Sequence, residues 1–391
     1  MKLIVIGLGQ CGGRIADEFT RMGKRAVEMR NIEIISDSFA VNTDTADMAT
    51  VQTIKPDYQH RILIGAGKTR GHGVAKLNEL GAEIAREDAD KILDALRTGK
   101  NLYEADAFLL VSSTAGGTGS GAIPIITNVL KERFADKPVY ALLVLPFEHE
   151  ETAEEMAVYN TAVCLKSTYS IADAVILVDN QRYIKKDFSL KNNIYEINRL
   201  IVEPFFDLLC AGEEKKYKHI GAKVMDAGDI IQTLCGWTAI GYGEVKLPLI
   251  TLPSDWSGSF NKRGEKSFKG LEAMDEAIKE LSIECDTQEA GRALFLISSP
   301  GKEMDMNLIK ELGDHLRGLA PQAVIRNGDY PREKGLLDIT VILSEMADVA
   351  KIRSYYTKAS ELAQSIKQRQ GEREIKANLV QEAGKDVPTL L

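Results

Sequence analysis

No stretch of this 391-residue chain approaches the roughly 20 consecutive apolar residues that cross a bilayer, so direct membrane insertion is not expected. Cysteine is sparse. The five residues, at 11, 164, 210, 235 and 285, form no CxxC pair and an odd total, which excludes a disulfide framework or thiolate knuckle and implies free thiols in a reducing cytoplasm. The five histidines are isolated and supply no zinc motif. Positive charge is not in excess: the formal net charge of −8 argues against a nucleic-acid partner. Glycine follows Leu3-Ile4-Val5-Ile6 too soon for a signal peptide. Repeats and low-complexity segments are missing too. What is left, 44% hydrophobic and 27% charged residues, is an ordinary soluble composition with length for two domains.

One further absence is more informative. The run Thr114-Ala115-Gly116-Gly117-Thr118-Gly119-Ser120-Gly121 contains no Lys or Arg. It follows an apolar strand, Ala107–Val111, and precedes helical spacing from Ala122 to Phe134. A glycine turn between a buried strand and a helix start is a phosphate cradle, where backbone N–H groups converge and the helix dipole helps. Without a basic residue, the cradle must rely on backbone amides, on the hydroxyls of Thr118 and Ser120, and on a metal ion.

The first half alternates strands and helices. Strands are expected at Lys2–Ile6, Ile32–Ala40, Phe108–Ser112, Val139–Leu145 and Ala174–Val178, with helices near Gly12–Arg25 and Ala82–Arg97. This predicts an α/β fold, a parallel Rossmann-like sheet with ligands beyond the C-terminal strand ends. Asn192–Leu209 is apolar around much of its circumference and reads as a central buried helix, kinked or divided at Pro204. Further strands at Val245–Leu252, Ala293–Ser298, Ala323–Arg326 and Leu337–Leu343 predict a smaller α+β C-terminal domain. The expected boundaries are 1–190 for the nucleotide domain, 191–212 for the central helix, 213–345 for the second domain, 346–371 for a charged helix and 372–391 for a mobile tail.

Gly7-Leu8-Gly9-Gln10-Cys11-Gly12 matches GxGxxG after the first strand. Gln10 is positioned to hold a metal-bound water; Cys11 either packs on a base or ribose or is a small core residue. A dehydrogenase needs only one glycine loop, and the second strand leads into the polar turn Asn42-Thr43-Asp44. Two glycine loops suggest one triphosphate gripped from both sides. Ile64–Thr69 superficially resembles a P-loop but fails its spacing, because Ile62 stands where glycine is required. Its continuation, Arg70-Gly71-His72-Gly73, is suited to sensing a terminal phosphate.

Gly9-Gln10-Cys11-Gly12, Asn42-Thr43-Asp44 and the 116–121 loop together resemble the tubulin/FtsZ superfamily, and the resemblance runs from Met1 to about Leu343. Leu177-Val178-Asp179-Asn180 and Glu196-Ile197-Asn198-Arg199-Leu200-Ile201 resemble its guanine-reading segments. The mixture of tubulin-like and FtsZ-like features is most similar to the archaeal CetZ group. The resemblance implies a GTPase with GTP/GDP and Mg²⁺ as cofactors. It implies nucleotide contacts from Gln10, Cys11, Gly12, Gly13, Arg14, Asn42, Gly71, Gly73, Ala115, Gly116, Gly117, Thr118, Gly119, Ser120, Glu150, Asn180 and Asn198, and metal contacts from Gln10 and Asp44 through water. Amides suit a guanine edge because they donate and accept, although either Asn also suits a cap or turn. Where FtsZ carries an arginine, this chain has Glu154.

Asp226 and Asp229 lie three apart on one face of a helical turn, as catalytic acids or as an N-cap with a first-turn acid. A straight central helix spans about 25–30 Å and would put them at the pole opposite Asn198. The resemblance implies that they act on the next subunit's nucleotide in a head-to-tail filament; the family's Asn before them is Val224 here. The expected role is cell shape. FtsZ-like cytokinesis, a GTP-binding scaffold with weak hydrolysis and, remotely, an NAD-dependent oxidoreductase are the alternatives. Self-association and cytoskeletal adaptor proteins are the expected partners.

Overall fold

The computed structural model describes residues 1–99, 101–184, 190–247 and 259–365. The first half runs β1 (Leu3–Leu8), α1 (Gly9–Arg30), β2 (Ile35–Asn42), α2 (Thr45–Met48), β3 (Arg61–Leu63), α3 (Ala66–Thr69), α4 (Asn78–Glu87), α5 (Ala89–Thr98), β4 (Ala107–Ser113), α6 (Thr118–Arg133), β5 (Val139–Leu145), α7 (Glu148–Ala153), α8 (Glu155–Tyr169) and β6 (Ala174–Asp179). The chain continues as α9 (Leu190–Val202), α10 (Phe205–Ala211), α11 (Ala227–Thr233), β7 (Gly236–Lys246), α12 (Ser259–Lys279), β8 (Ala290–Ser299), α13 (Met306–Leu319), β9 (Val324–Pro331) and β10 (Leu336–Met346). A last helix, α14, occupies 350–365.

β1, β5 and β6 are buried along their whole length, as expected of parallel strands covered on both faces. The parallel strands run in the order β3-β2-β1-β4-β5-β6. The chain moves outward from β1 to β3 and then returns to the other side of β1 with β4. The switch point of the topology therefore lies between the C-terminal ends of β1 and β4. Both glycine turns emerge there.

Several expected elements are corrected. The single helix over Ala82–Arg97 is two, α4 and α5, parted at Asp88, whose carboxylate accepts from the Gly65 amide at 2.7 Å. The strand expected at Val245–Leu252 is β7, which begins nearer the N-terminus at Gly236; residues 248–252 lie outside the described residues. Gly241 and Gly243 obscure its pattern because they lie under α12, where an added Cβ would come within 2.0 Å of Ala277 O and 2.2 Å of Ala273 O. Strand β3 was not anticipated. The central helix is divided at Pro204, which cannot donate to the helical ladder. The tail expected at 372–391 lies outside the described residues.

β7, β10, β8 and β9 extend the same sheet, which has ten strands among the described residues. β6 and β7 share only the pairs Ala174–Gly236, Val175–Trp237 and Ile176–Thr238 before they diverge. The buried Ser282 fills the fork. Its hydroxyl donates to Leu177 O at 2.6 Å and accepts from Ile240 N at 3.1 Å, while its carbonyl accepts from Asp179 N at 2.7 Å. Helix α14 returns to the first half, where Lys351 pairs with Asp179 at 2.6 Å and Lys358 with Glu151 at 3.2 Å. Among the described residues no helix is long and apolar enough to cross a membrane.

Candidate functional site

The two glycine turns touch. Gly9 has φ +73°, open to glycine at little cost, and a Cβ there would lie 3.1 Å from Gly119 N. Gly12 lies against β4, where a Cβ would come 2.1 Å from Val111 O. Most glycines of the second loop serve protein packing. A Cβ on Gly119 would meet Ser112 Oγ at 2.2 Å, and one on Gly117 would meet Val74 Cγ2 at 2.6 Å. Gly116 differs, since nothing lies within 4 Å of its would-be Cβ. Its backbone borders open space at the switch point, where a ligand would approach.

The two loop hydroxyls have structural partners. Thr118 Oγ1 lies 2.6 Å from Thr43 Oγ1, joining the second loop to the turn after β2. The buried Ser120 hydroxyl donates to the carbonyl of Gly116 and holds the loop's shape. The convergent donors left to the cradle are therefore mainly backbone amides at the N-terminus of α6.

The β2 turn brings several expected residues together. The buried Asn42 carboxamide accepts from Thr43 N at 2.8 Å and Asp44 N at 3.3 Å, fixing the turn. Asp44 caps α2 through one oxygen, accepting from Ala46 N at 2.8 Å and Asp47 N at 3.0 Å. Its other oxygen faces Gly73, which with Gly71 adopts positive φ. Hydrogen bonds from Thr45 N to Gly71 O and from Gly73 N to Thr43 O tie the two loops together. The Gln10 amide donates to Asp47. Burial, and then the adjacent Asp44 charge, push the Asp47 carboxyl above its ordinary value, against the opposite pull of the Asn42 and Gln10 amides. Two carboxylates thus crowd one another beside the exposed Gln10. Among the described residues no three His, Cys, Asp or Glu side chains converge on a metal position.

Gly13 is buried within α1, with Arg14 half-buried beside it, its Nε 3.4 Å from Thr50 Oγ1. Burial pushes the Cys11 thiol up to about 12, so it is neutral and packs against the core. Ala115 is buried at the end of β4. Glu150 lies beyond β5, one oxygen accepting from Phe147 N at 2.9 Å. Asn180 follows β6 in a short 3-10 turn capped by Asp179 and touching α9, the helix that carries Asn198. Gln10, Asn42, the second glycine loop, Glu150 and Asn180 follow the C-terminal ends of five parallel strands, and therefore share one edge of the sheet.

The acid pair does not join them. Helices α10 and α11 pack at the other edge, around an apolar-lined cavity of about 20 Å³ that Leu3 and Tyr140 line from the starts of β1 and β5. A Cβ on Gly212, just past α10, would lie 3.0 Å from Asp226 Cα. The intervening six residues of β1 span about 20 Å. Asp226 is exposed and caps α11: it accepts from Asp229 N at 2.9 Å, and the Asp229 carboxylate faces Asp226 N at 3.5 Å. This capping box satisfies two helix-end donors; Asp226 remains exposed, while Asp229 is half-buried with its Oδ1 3.8 Å from Arg326 Nε. Val224 beside it is 45% exposed.

Three residues were not singled out from sequence. Asn160, fully buried in α8, donates to Lys76 O at 2.8 Å, Ala115 O at 3.1 Å and Gly116 O at 3.4 Å, bracing the cradle from beneath. Asp329 on β9 accepts from Ala222 N at 2.9 Å and Lys223 N at 2.6 Å, pinning the acid loop. Lys76 borders the cradle, and its ammonium pairs with Glu154. The partners of Asn160 and Asp329 are 44 to 107 positions away, so no local motif reveals them.

Residues 2–186 match the GTPase domain of the Tubulin/FtsZ family, and residues 187–361 match the C-terminal domain of tubulin-like CetZ. The tubulin-like protein CetZ1 of Haloferax volcanii is 30% identical over 386 residues, covering 94% of each chain. The GDP-bound CetZ1 monomer from that organism superposes with a TM-score of 0.79 at 29% identity, covering 92% of this chain and 99% of that one. The GTPγS-bound CetZ2 protofilament, also from Haloferax volcanii, gives 0.80 at 26% identity, covering 94% and 100%. One glycine-lined edge, one remote acid loop and these matches across both halves lead to the same place: the chain belongs to the tubulin-like CetZ proteins and carries a Tubulin/FtsZ-family GTPase domain.

Proposed function

We propose that this protein binds GTP at the glycine-lined edge of its sheet and hydrolyses it where subunits stack head to tail, as a cytoplasmic filament acting in cell shape. The observation that carries this reading is the separation of the two part-sites. A phosphate cradle and an acid pair lie at opposite edges of one sheet, so stacking in one direction apposes the acids of one subunit to the cradle of the next. A heterologous contact of this kind builds open filaments. The GTPγS-bound protofilament of its CetZ2 relative supports the reading.

Within the site, amides of the 115–119 turn would hold the phosphates, Asn180 and Asn198 the base, and Glu150 the ribose. Asp44 and Gln10 suit a Mg²⁺ ion held largely through water and phosphate oxygens, since two crowded carboxylates want a cation and offer too few ligands to cage one. Such an ion would neutralise phosphate charge. Asp226 and Asp229 of the neighbour would orient the attacking water. The exposed Val224 and the use of both acids in a capping box favour slow turnover. Adaptor proteins would give the filament its place in the cell.

Phosphate release from GTP, followed against protein concentration, tests the reading. Turnover per subunit is expected to rise with concentration, and D226A/D229A is expected to bind GTP without turning it over. Strictly linear turnover, or turnover that survives in D226A/D229A, would overturn it.

A further inference from the structure

We propose that Lys76 is the cation of the phosphate cradle and that Glu154 is its resting partner, the two forming a latch that an incoming triphosphate opens. This rests on the nucleotide site proposed above and names a group that sets its preference among guanine nucleotides. The glycine loop carries no basic side chain, and the hydroxyls of Thr118 and Ser120 are engaged within the protein. Backbone amides carry no net charge, and the divalent ion proposed above offsets only part of a triphosphate's charge.

Lys76 stands within reach. A Cβ on Gly117 would lie 2.9 Å from the Lys76 carbonyl carbon, and the Asn160 amide bridges Lys76 O to Gly116 O. The extended lysine stem is long enough to carry its ammonium over Gly116, the loop glycine bordered by open space. The backbone supports a functional reading. Ala75 and Lys76 have φ of 49° and 62°, two successive non-glycine residues in the left-handed region, where glycine would fit without strain.

Its present partner is Glu154, at the extended break between α7 and α8. Because Lys76 adjoins the glycine loop, this pair brings Glu154 to the rim of the same site. Both side chains are roughly half exposed, at 49% and 43%, and an ion pair so open to water is weak and easily exchanged. A phosphate oxygen in a cradle of aligned amides is the stronger acceptor. The lysine would swing from Glu154 to the phosphates, and the freed carboxylate, repelled by the ligand, would turn outward.

Calorimetric titration of the full chain, below its assembly concentration, with GTP, GDP and guanosine tests the latch. Lys76→Ala is expected to weaken GTP about tenfold and leave guanosine unchanged, while Lys76→Arg retains most of the GTP affinity. Glu154→Gln is expected to tighten GTP by about threefold, a gain that disappears in the K76A/E154Q double variant. Should K76A fail to fold, Lys76→Gly relieves the backbone and carries the same expectations. Equal weakening of all three ligands would overturn the proposal, because it would mark a backbone effect. A Glu154→Gln gain that persists without Lys76 would also overturn it, because it would mark a general field. A wild-type chain that binds guanosine phosphates but is indifferent to K76A overturns the latch alone; one that binds none overturns the nucleotide reading and the latch with it.

Discussion

Replacing Asn160 by leucine removes the brace beneath the cradle while nearly preserving volume. Two of its hydrogen bonds, at 2.8 and 3.1 Å, are well formed, and the third, at 3.4 Å, is weak. At about 1 kcal/mol each, the two good bonds hold the 75–77 and 115–117 segments together with roughly 2 kcal/mol. Global stability should fall by less. Asn160 Oδ1 is buried without a partner among the described residues, and leucine removes that burden of about 1–3 kcal/mol. The two effects separate in measurement. Thermal unfolding of Asn160→Leu should show a modest loss, since Lys76 O and Ala115 O lose their donor while one unpaired oxygen is removed, whereas GTP affinity should fall about tenfold to thirtyfold, because the loosened cradle must be reordered on binding. Titration calorimetry gives the affinity, and amide hydrogen exchange at 115–117 should speed up in the free protein. Unchanged affinity with unchanged exchange at those amides would refute the claim that this side chain preorganises the cradle.

Gly116 and Gly119 should respond in opposite ways to alanine. Gly119→Ala drives a methyl to 2.2 Å from Ser112 Oγ and 2.6 Å from Leu8 O, and should cost about 1–3 kcal/mol in denaturant unfolding, whereas Gly116→Ala should fold normally and lose nucleotide affinity only. Asp338 predicts a pH dependence. Burial and the neighbouring Asp207 raise its carboxyl, against the pull of Lys334, so the folded state holds this proton more tightly than the unfolded one. Stability should therefore decline as pH rises from about 4 toward neutrality, by at most about 1.4 kcal/mol per unit. Asp207 is depressed by Lys334 and Arg30, and its contribution is lost only below that window. Asp338→Asn should flatten the decline in chemical denaturation series from pH 4 to 7, and an unchanged slope would discount the assignment.

The glycine turns and the strand ends were legible because each is a local pattern in one stretch of chain. Asp226 and Asp229 were legible in two ways, as a cap and as catalytic acids. The capping box shows that the first is present in the fold without removing the second. Other features carry no local signal. Asn160 is an unremarked polar residue in a helix until the fold brings Ala115 and Lys76 to it. The break at Asp88 depends on an amide 23 positions earlier, so periodicity alone joined α4 to α5. β7 was misplaced because its inward glycines, chosen for contact with α12, carry none of the apolar weight by which a strand is recognised. Tertiary packing, not propensity, decided each of these.

Ser282 gives the sheet a mechanical character. Three rungs join β6 to β7 and eight join β7 to β10, so the ladder thins where the nucleotide half meets the other. Beyond the last rung one serine spans the gap, bonded to both strands and adjacent through Asp179 to Asn180. A rotation of one half against the other would strain these bonds together with the Lys351–Asp179 pair of α14, so the turn at Asn180 and the strand that follows α11 are mechanically joined.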